Sequence, residues 1–449
     1  MSLLQLLQQR METDGPIRVG LIGAGKFGSM FLSQVPSTPG LQVTVIADVD
    51  PCRRHAACST AGWDAERVSR TRFVDDGMTL IAADDIDVVV EATGHPAAGV
   101  THARAAMREG KHVVMVNVEA DVLVGPLLAR EAETAGTVYS MAYGDQPALT
   151  CELVDWARSC GFDVVAAGKG TKYLPSYHDS TPHTVWDHYG LTAEQAGAAG
   201  MNPQMFNSFL DGTKSAIEMA AVANATGLTP APQGLAFPPC GTDDLPHVLR
   251  PRDMGGQLHH KGQVEVISSL ERDGRPVYRD LRWGVYVVLE APHDYSAECF
   301  RQYGLLIDET GRYAAMYKPY HLIGMELNIS IFSAALRGEP TGCTNGFRGD
   351  VVATAKRNLA AGEVLDGEGG FTVWGRLIPA RDSLESGGLP IGLAHGLKLV
   401  RDVPSGQLVH WSDISIDPTN EVIRFRQSME QAFRAEWNIA DTCIGRTSS

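Results

Sequence analysis

Over the first 140 or so residues the apolar positions fall in short solid blocks, at 18–22, 43–47, 87–91, 112–116 and 137–140, with stretches of helical period between them. Solid blocks fit strands buried on both faces, and helical stretches between strands imply parallel crossovers, so the pattern predicts an α/β fold built on a doubly wound parallel sheet. An amphipathic helical pattern at 2–11 precedes it. After residue 145 a helix is expected with Pro147 in its first turn and Leu149, Leu153, Val154 and Trp156 on its apolar face. The pattern then predicts a strand at 163–167, a polar loop over 169–189 and one long helix at 203–225. The Pro-rich 229–239 reads as a surface connection. Strands at 263–270 and 281–290 flank Asp273-Gly274 and read as an antiparallel hairpin pair, giving an α+β domain. Residues 350–417 carry short strands and turns at Gly367, Gly369-Gly370, Gly387-Gly388 and Pro404-Ser405-Gly406, the pattern of a small all-β module. A last helix is expected at 419–437, with the final dozen residues frayed. The resulting division is 1–145, 146–349 and 350–437.

The first strand runs directly into Gly23-Ala24-Gly25-Lys26-Phe27-Gly28, a G-x-G-x-x-G turn that opens a helix. Here Gly23 would permit the tight turn, Gly25 the approach of a pyrophosphate, and Gly28 close packing of helix on strand. Asp48 follows the second strand about 20 residues later, where an acid is expected to hold ribose hydroxyls. Together these predict a Rossmann dinucleotide site. Asp48 favours a free 2′-hydroxyl, as in NAD, whereas Arg53 and Arg54 could hold the 2′-phosphate of NADP. Ligands of such sheets sit beyond the carboxyl ends of the strands, so Thr93, Gly94, Asn117 and Glu119 are expected to line the nicotinamide half.

Composition narrows the class. In 449 residues, 53 acidic and 38 basic side chains give a formal charge of −15, with no basic stripe interleaved with aromatics. Nucleic acid and anionic membranes are excluded as expected partners. No apolar run reaches membrane-spanning length, and the eight cysteines show neither a C-x-x-C pair nor zinc spacing. A cytoplasmic protein without structural disulfides is expected.

Several segments resemble homoserine dehydrogenase: the glycine turn, Val113-Val114-Met115-Val116-Asn117, Gly144-Asp145-Gln146-Pro147, and Phe209-Leu210-Asp211-Gly212-Thr213-Lys214. The segments Ala355–Glu363, Val403–Val409 and Trp411-Ser412-Asp413 resemble a SAF module, the small β-clip domain. The combination is similar to SAF-containing oxidoreductases that include the second type of 1-deoxy-D-xylulose 5-phosphate reductoisomerase. That resemblance implies NADP, a phosphorylated ketose, a divalent ion and a role in isoprenoid biosynthesis. A homo-oligomer is the expected assembly. Val118 stands where homoserine dehydrogenases carry a lysine, so the proton-handling group must come from elsewhere.

Reduction of a carbonyl leaves an alkoxide, which calls for a placed acid. Lys172, Lys214 and Asp145 are the catalytic candidates, and Lys169, Asp211, Lys318 and His321 the substrate-binding ones. Lys318 and His321 could meet an anion at the start of a helix opened by 317–321, or could equally serve only to cap that helix. The run from Tyr177 to His188 packs three His and two Asp into a dozen positions. It could ligate a divalent metal, but its five-residue His spacing favours a hydrogen-bonded loop. The leading function is an NAD(P)-dependent oxidoreductase acting on a small, phosphorylated polyhydroxy carbonyl compound. An enzyme for an amino-acid semialdehyde and a non-catalytic dinucleotide sensor are the alternatives.

Overall fold

A computed structural model describes residues 2–439. The expectation for the last dozen residues falls almost wholly outside them. The chain forms two compact units, one from residues 1–152 and 321–345, the other from 153–320 and 346–449.

The sheet of the first unit holds β1 (Ile17–Ile22), β2 (Leu41–Ala47), β3 (Arg72–Val74), β4 (Val88–Glu91), β5 (His112–Met115) and β6 (Tyr139–Met141). Their order is β3-β2-β1-β4-β5-β6 and every pair is parallel. This is the doubly wound order of dinucleotide-binding folds. Val19, Leu21, Val88, Val90 and Val114 are wholly buried, which explains the solid apolar blocks. The short β3 went unpredicted because its Arg72 is exposed and only Phe73 and Val74 carry an apolar signal. The chain returns to this unit late: Leu327, Ile331 and Phe332, at the helix Asn328–Arg337, join the same core as Leu7 of the N-terminal helix Leu3–Thr13.

The second unit is built on a mixed sheet of β7 (Asp163–Thr171), β8 (Gln263–Ser268), β9 (Val285–Glu290), β10 (Leu306–Ile307) and β11 (Tyr313–Lys318), in the order β10-β11-β9-β7-β8. The predicted hairpin pair is corrected here. β7 lies between β8 and β9, parallel to the first and antiparallel to the second. The Asp273-Gly274 turn closes only a small loop, in which the Glu271 N–H donates to the Arg275 carbonyl. The single helix expected at 203–225 is two, Pro203–Leu210 and Thr213–Thr226, because Gly212 at φ +89° breaks the chain direction. Residues 317–321 do not open a helix. Lys318 ends β11, paired with Val285, and His321 belongs to the first unit.

Short antiparallel strands follow: β12 (Gly349–Ala355) pairs with β14 (Val373–Pro379), and β13 (Val364–Asp366) with β15 (His395–Lys398). The last helix, Glu421–Trp437, is anchored by buried Arg426, which bonds Asp350 at 2.6 Å and Glu430 at 2.8 Å. The small module is stitched to the helix pair before it. Thr213 Oγ1 accepts the Gly375 N–H, and the Gln204 and Asn207 amides donate to carbonyls of Asp366, Glu368 and Gly369.

Candidate functional site

The glycine turn of the first unit shows why each glycine stands there. Gly23 has φ +98°, and a Cβ on it would lie 2.5 Å from the Ala92 carbonyl oxygen. A Cβ on Gly28 would lie 2.6 Å from the Gly23 carbonyl oxygen, so only glycine lets the helix Lys26–Gln34 sit this close to β1. A Cβ on Gly25 would meet no atom within 4 Å. Gly25 is also the N-cap residue of that helix, and no side chain caps it. The amide groups of Lys26, Phe27 and Gly28 therefore begin a helix whose positive end faces open space, a fit for a pyrophosphate.

Asp48 does more than was expected of it. Its Oδ2 accepts the Ala24 N–H at 2.8 Å, tying the turn to the end of β2, while Oδ1 accepts the Asp50 N–H at 2.9 Å and lies 3.8 Å from Arg53. Arg53 is exposed beside it. Arg54 is buried against Asp75 at 2.7 Å and is not available to a 2′-phosphate.

Beyond β4 and β5, Gly94 (φ +69°) is open. Asn117 is buried: its Oδ1 caps the helix Val118–Ala135 through the Ala120 N–H, and its Nδ2 donates to the His95 carbonyl at 3.0 Å and lies 3.4 Å from Thr93 Oγ1. Asn117 thus joins the two strand-end loops, while Glu119 sits half-buried in the first turn of that helix. Sequence reading missed Glu91 and His102 as a pair. Glu91 is fully buried, with Oε1 bonded to Thr93 and 3.2 Å from His102 Nδ1, and with Oε2 lacking any hydrogen bond. A carboxylate ending an otherwise apolar strand was the available signal. Sequence reading also missed Asp121. Asp145 and Asp121 line one small cavity with Met115, Val118, Met141, Ala142, Pro147 and Ala148. Burial pushes Asp121 up to about 6, against hydrogen bonds from Tyr139 and Thr344 that oppose the rise.

In the second unit two of the candidate charges stand in buried ion pairs with residues far away in sequence. Lys169 is buried in an ion pair with Glu218. Asp211 is wholly buried and pairs with Lys356 at 2.8 Å, and Lys356 also donates to the Ser180 and Gly370 carbonyls. Both expected substrate contacts thus stand in buried ion pairs. Lys356 and Glu218 could not be matched to these partners from sequence because the partners lie far apart along the chain. Lys214 is half-buried in the first turn of the helix Thr213–Thr226. Lys172 is half-buried at the exit of β7, its Nζ donating to the His188 carbonyl and lying 5.6 Å over the Tyr189 ring. Burial, then the nearby Arg282, lowers its pKa from the ordinary lysine value.

The three histidines of 178–188 each pack on a different ring. His178 stacks on Trp374 at 3.9 Å and bonds Tyr173, His183 meets Phe371 edge-on, and His188 lies against Tyr177. Among the described residues no group of three His, Cys, Asp or Glu could hold a metal ion. The seven described cysteines are free, and no described helix is long and apolar enough to cross a membrane.

Comparison with known proteins matches three consecutive segments. Residues 17–115 match "Oxidoreductase family, NAD-binding Rossmann fold", 144–327 match "Oxidoreductase DRL, catalytic domain" and 350–415 match "SAF domain". The chain is similar to an inositol 2-dehydrogenase of Acidothermus cellulolyticus, 34% identical over 129 residues, which are 28% of this chain and 35% of that protein. It is also similar to a glycosyl hydrolase family 109 protein of Solibacter usitatus, 29% identical over 111 residues, 23% of this chain and 24% of that one. These matches span about a third or less of the relatives' own length. Among solved structures, a myo-inositol dehydrogenase from Lactobacillus casei in complex with NAD(H) and myo-inositol aligns at 16% identity and a TM-score of 0.29, over 38% of this chain and 50% of that one. The chain therefore carries, in order, segments similar to an NAD-binding Rossmann fold, a DRL catalytic domain and a SAF domain, each match spanning less than half of its length.

Proposed function

We propose that the protein is an NAD(P)-dependent oxidoreductase acting on a small, phosphorylated polyhydroxy carbonyl compound. The observation that carries this reading is the glycine turn, with its uncapped helix start and the open position at Gly25. The matched oxidoreductase domains support it, and a relative named for inositol is in keeping with a polyhydroxylated substrate. The bound nicotinamide would supply or accept the hydride. Asp48 would fix the turn and face the ribose, with the exposed Arg53 beside it suiting NADP. Thr93, Gly94, Asn117 and Glu119 would border the nicotinamide.

Hydride transfer to a carbonyl generates an alkoxide that needs a proton. Lys172, already lowered in pKa by burial and Arg282, and Lys214 are the residues assigned to it, one protonating the oxygen and the other holding substrate. Asp145, at the small cavity beside Asp121, is a third candidate. The finer reading is a reductoisomerase of the second type, working with a divalent ion in isoprenoid biosynthesis, in the cytoplasm and as a homo-oligomer. It follows the division 1–145, 146–349 and 350–437.

The test is NADPH oxidation by the purified full chain against a panel of phosphorylated ketoses, 1-deoxy-D-xylulose 5-phosphate among them, with and without divalent ion. Turnover on a phosphorylated ketose is expected. Folded, NADPH-bound protein inert across the panel would overturn the substrate class. Turnover on other ketoses, joined to failed rescue of a bacterium lacking its reductoisomerase, would remove the isoprenoid role.

A further inference from the structure

We infer that Lys172 and Arg282 of the second unit, with the hydroxyls of Tyr177 and Tyr189, form the binding site for the phosphate group of the substrate. The inference deepens the functional reading above, since it rests on a phosphorylated substrate.

The backbone brings the two cations together. β7 ends at Thr171, and just before its end the Gly170 N–H donates to the Gly284 carbonyl at 3.1 Å. The four residues Leu281 to Gly284 turn tightly there, the Gly284 N–H returning to the Leu281 carbonyl at 3.0 Å. A Cβ on Gly170 would lie 1.9 Å from the Leu281 oxygen and 3.0 Å from the Arg282 nitrogen, so only glycine lets strand and turn approach this closely. Lys172 follows Gly170 by two residues, while Arg282 projects from the turn itself. The guanidinium rests 4.7 Å over the Trp283 ring, and the ammonium is steered by the His188 carbonyl and the Tyr189 ring.

Most of the unit's other buried cations have an acid. Lys169 has Glu218, Lys356 has Asp211, Arg250 has Asp308 and Arg426 has Asp350. Lys172 and Arg282 form no ion pair with any described carboxylate. Asp280 is the acid next to the turn, and it is engaged with the Arg282 backbone N–H at 2.8 Å. Two half-buried like charges held together repel each other, and the repulsion is visible on Lys172, whose ammonium Arg282 disfavours. An anion between them would reverse that cost. Tyr177 and Tyr189 stand in the same field, since Arg282 favours ionisation of both phenols against the opposing effect of burial. Neither hydroxyl hydrogen-bonds a described residue, which leaves both as donors. Two cations with no described carboxylate partner and two hydroxyls with no described acceptor are the chemistry of a phosphate monoester site.

Calorimetric titration of the full chain with inorganic phosphate at fixed ionic strength tests this without cofactor or turnover. Wild type is expected to bind phosphate. Lys172→Met and Arg282→Met should each weaken binding about tenfold or more, with Arg282→Lys losing less. Tyr189→Phe, a milder change that spares the fold, should weaken it a few-fold. Gly25→Val, which fills the other anion-binding turn, should leave this binding intact, and acetate should not compete. The proposal is overturned if wild type does not bind phosphate, if the two methionine variants bind normally, if only Gly25→Val loses binding, or if acetate binds equally well. Because the readout needs neither hydride transfer nor a known ketose, phosphate binding with no turnover would count against the enzyme reading alone.

Discussion

The two units treat their polar groups in opposite ways. At the glycine turn of the first, a helix begins with no capping side chain and a clear space at Gly25. In the second, Lys169, Asp211 and Lys356 are buried and neutralised within the protein, whereas Lys172 and Arg282 have no ion pair with a described carboxylate. The difference teaches where ligands can act. A site announces itself by donors and charges the fold leaves unspent, because burying a paired charge stabilises only against the loss of its partner.

The contrast can be broken most severely by removing the partner module. Truncation after Gly349 deletes Lys356 and the Gly375, Asp366, Glu368 and Gly369 contacts to the helices at 203–226, and it is expected to leave an insoluble or misassembled chain. A soluble, normally active truncated protein, judged by size-exclusion and turnover, would mean the module is an appendage. Next in size, Lys356→Met strands the Asp211 carboxylate in the interior. Denaturant unfolding should show a loss of about 3–5 kcal/mol, where a solvated pair would lose less than about 1.

For the two lysines assigned to the chemistry the readout is catalytic. Lys172→Met and Lys214→Met should each lower turnover by on the order of a hundredfold, about 3 kcal/mol, with cofactor affinity retained. Normal turnover in both variants would withdraw the assignment.

The smallest effect concerns a buried acid. Burial raises Glu265 to about 7 against the ordinary 4.5, although the N–H groups of Val266, Ala236 and Phe237 favour its charged form. Between those two values the folded protein holds a proton that the unfolded chain releases, so stability falls as pH rises from about 4.5 to 7 and levels off above. Glu265→Gln should flatten that slope, whose total fall across the window is on the order of 3 kcal/mol at most. An unchanged slope in urea unfolding across the window would show that Glu265 does not titrate there.

Much of the first unit was legible because its signals are local. Val19, Leu21, Val88 and Val90 mark strands by themselves, and Gly23, Gly25 and Gly28 act within one turn. In the second unit the decisive facts are pairings between distant residues. Nothing in 263–290 reveals that β7 inserts between β8 and β9, and nothing near Asp211 points to Lys356. The helix break was present in the sequence as Gly212, but the apolar period on both sides concealed it. Lys172 was picked out by its place after a strand, whereas Arg282 gains its meaning only from the turn that packs on Gly170.

The central claim, a nicotinamide dinucleotide seated at the glycine turn, is tested most directly by titrating wild type and Gly25→Val with NADPH and NADH. The account predicts that wild type binds, NADPH more tightly, and that Gly25→Val loses binding with its unfolding midpoint unchanged, since Gly25 has open space around it. Binding by Gly25→Val equal to wild type would contradict it, and much tighter NADH than NADPH binding would overturn the preference for NADP.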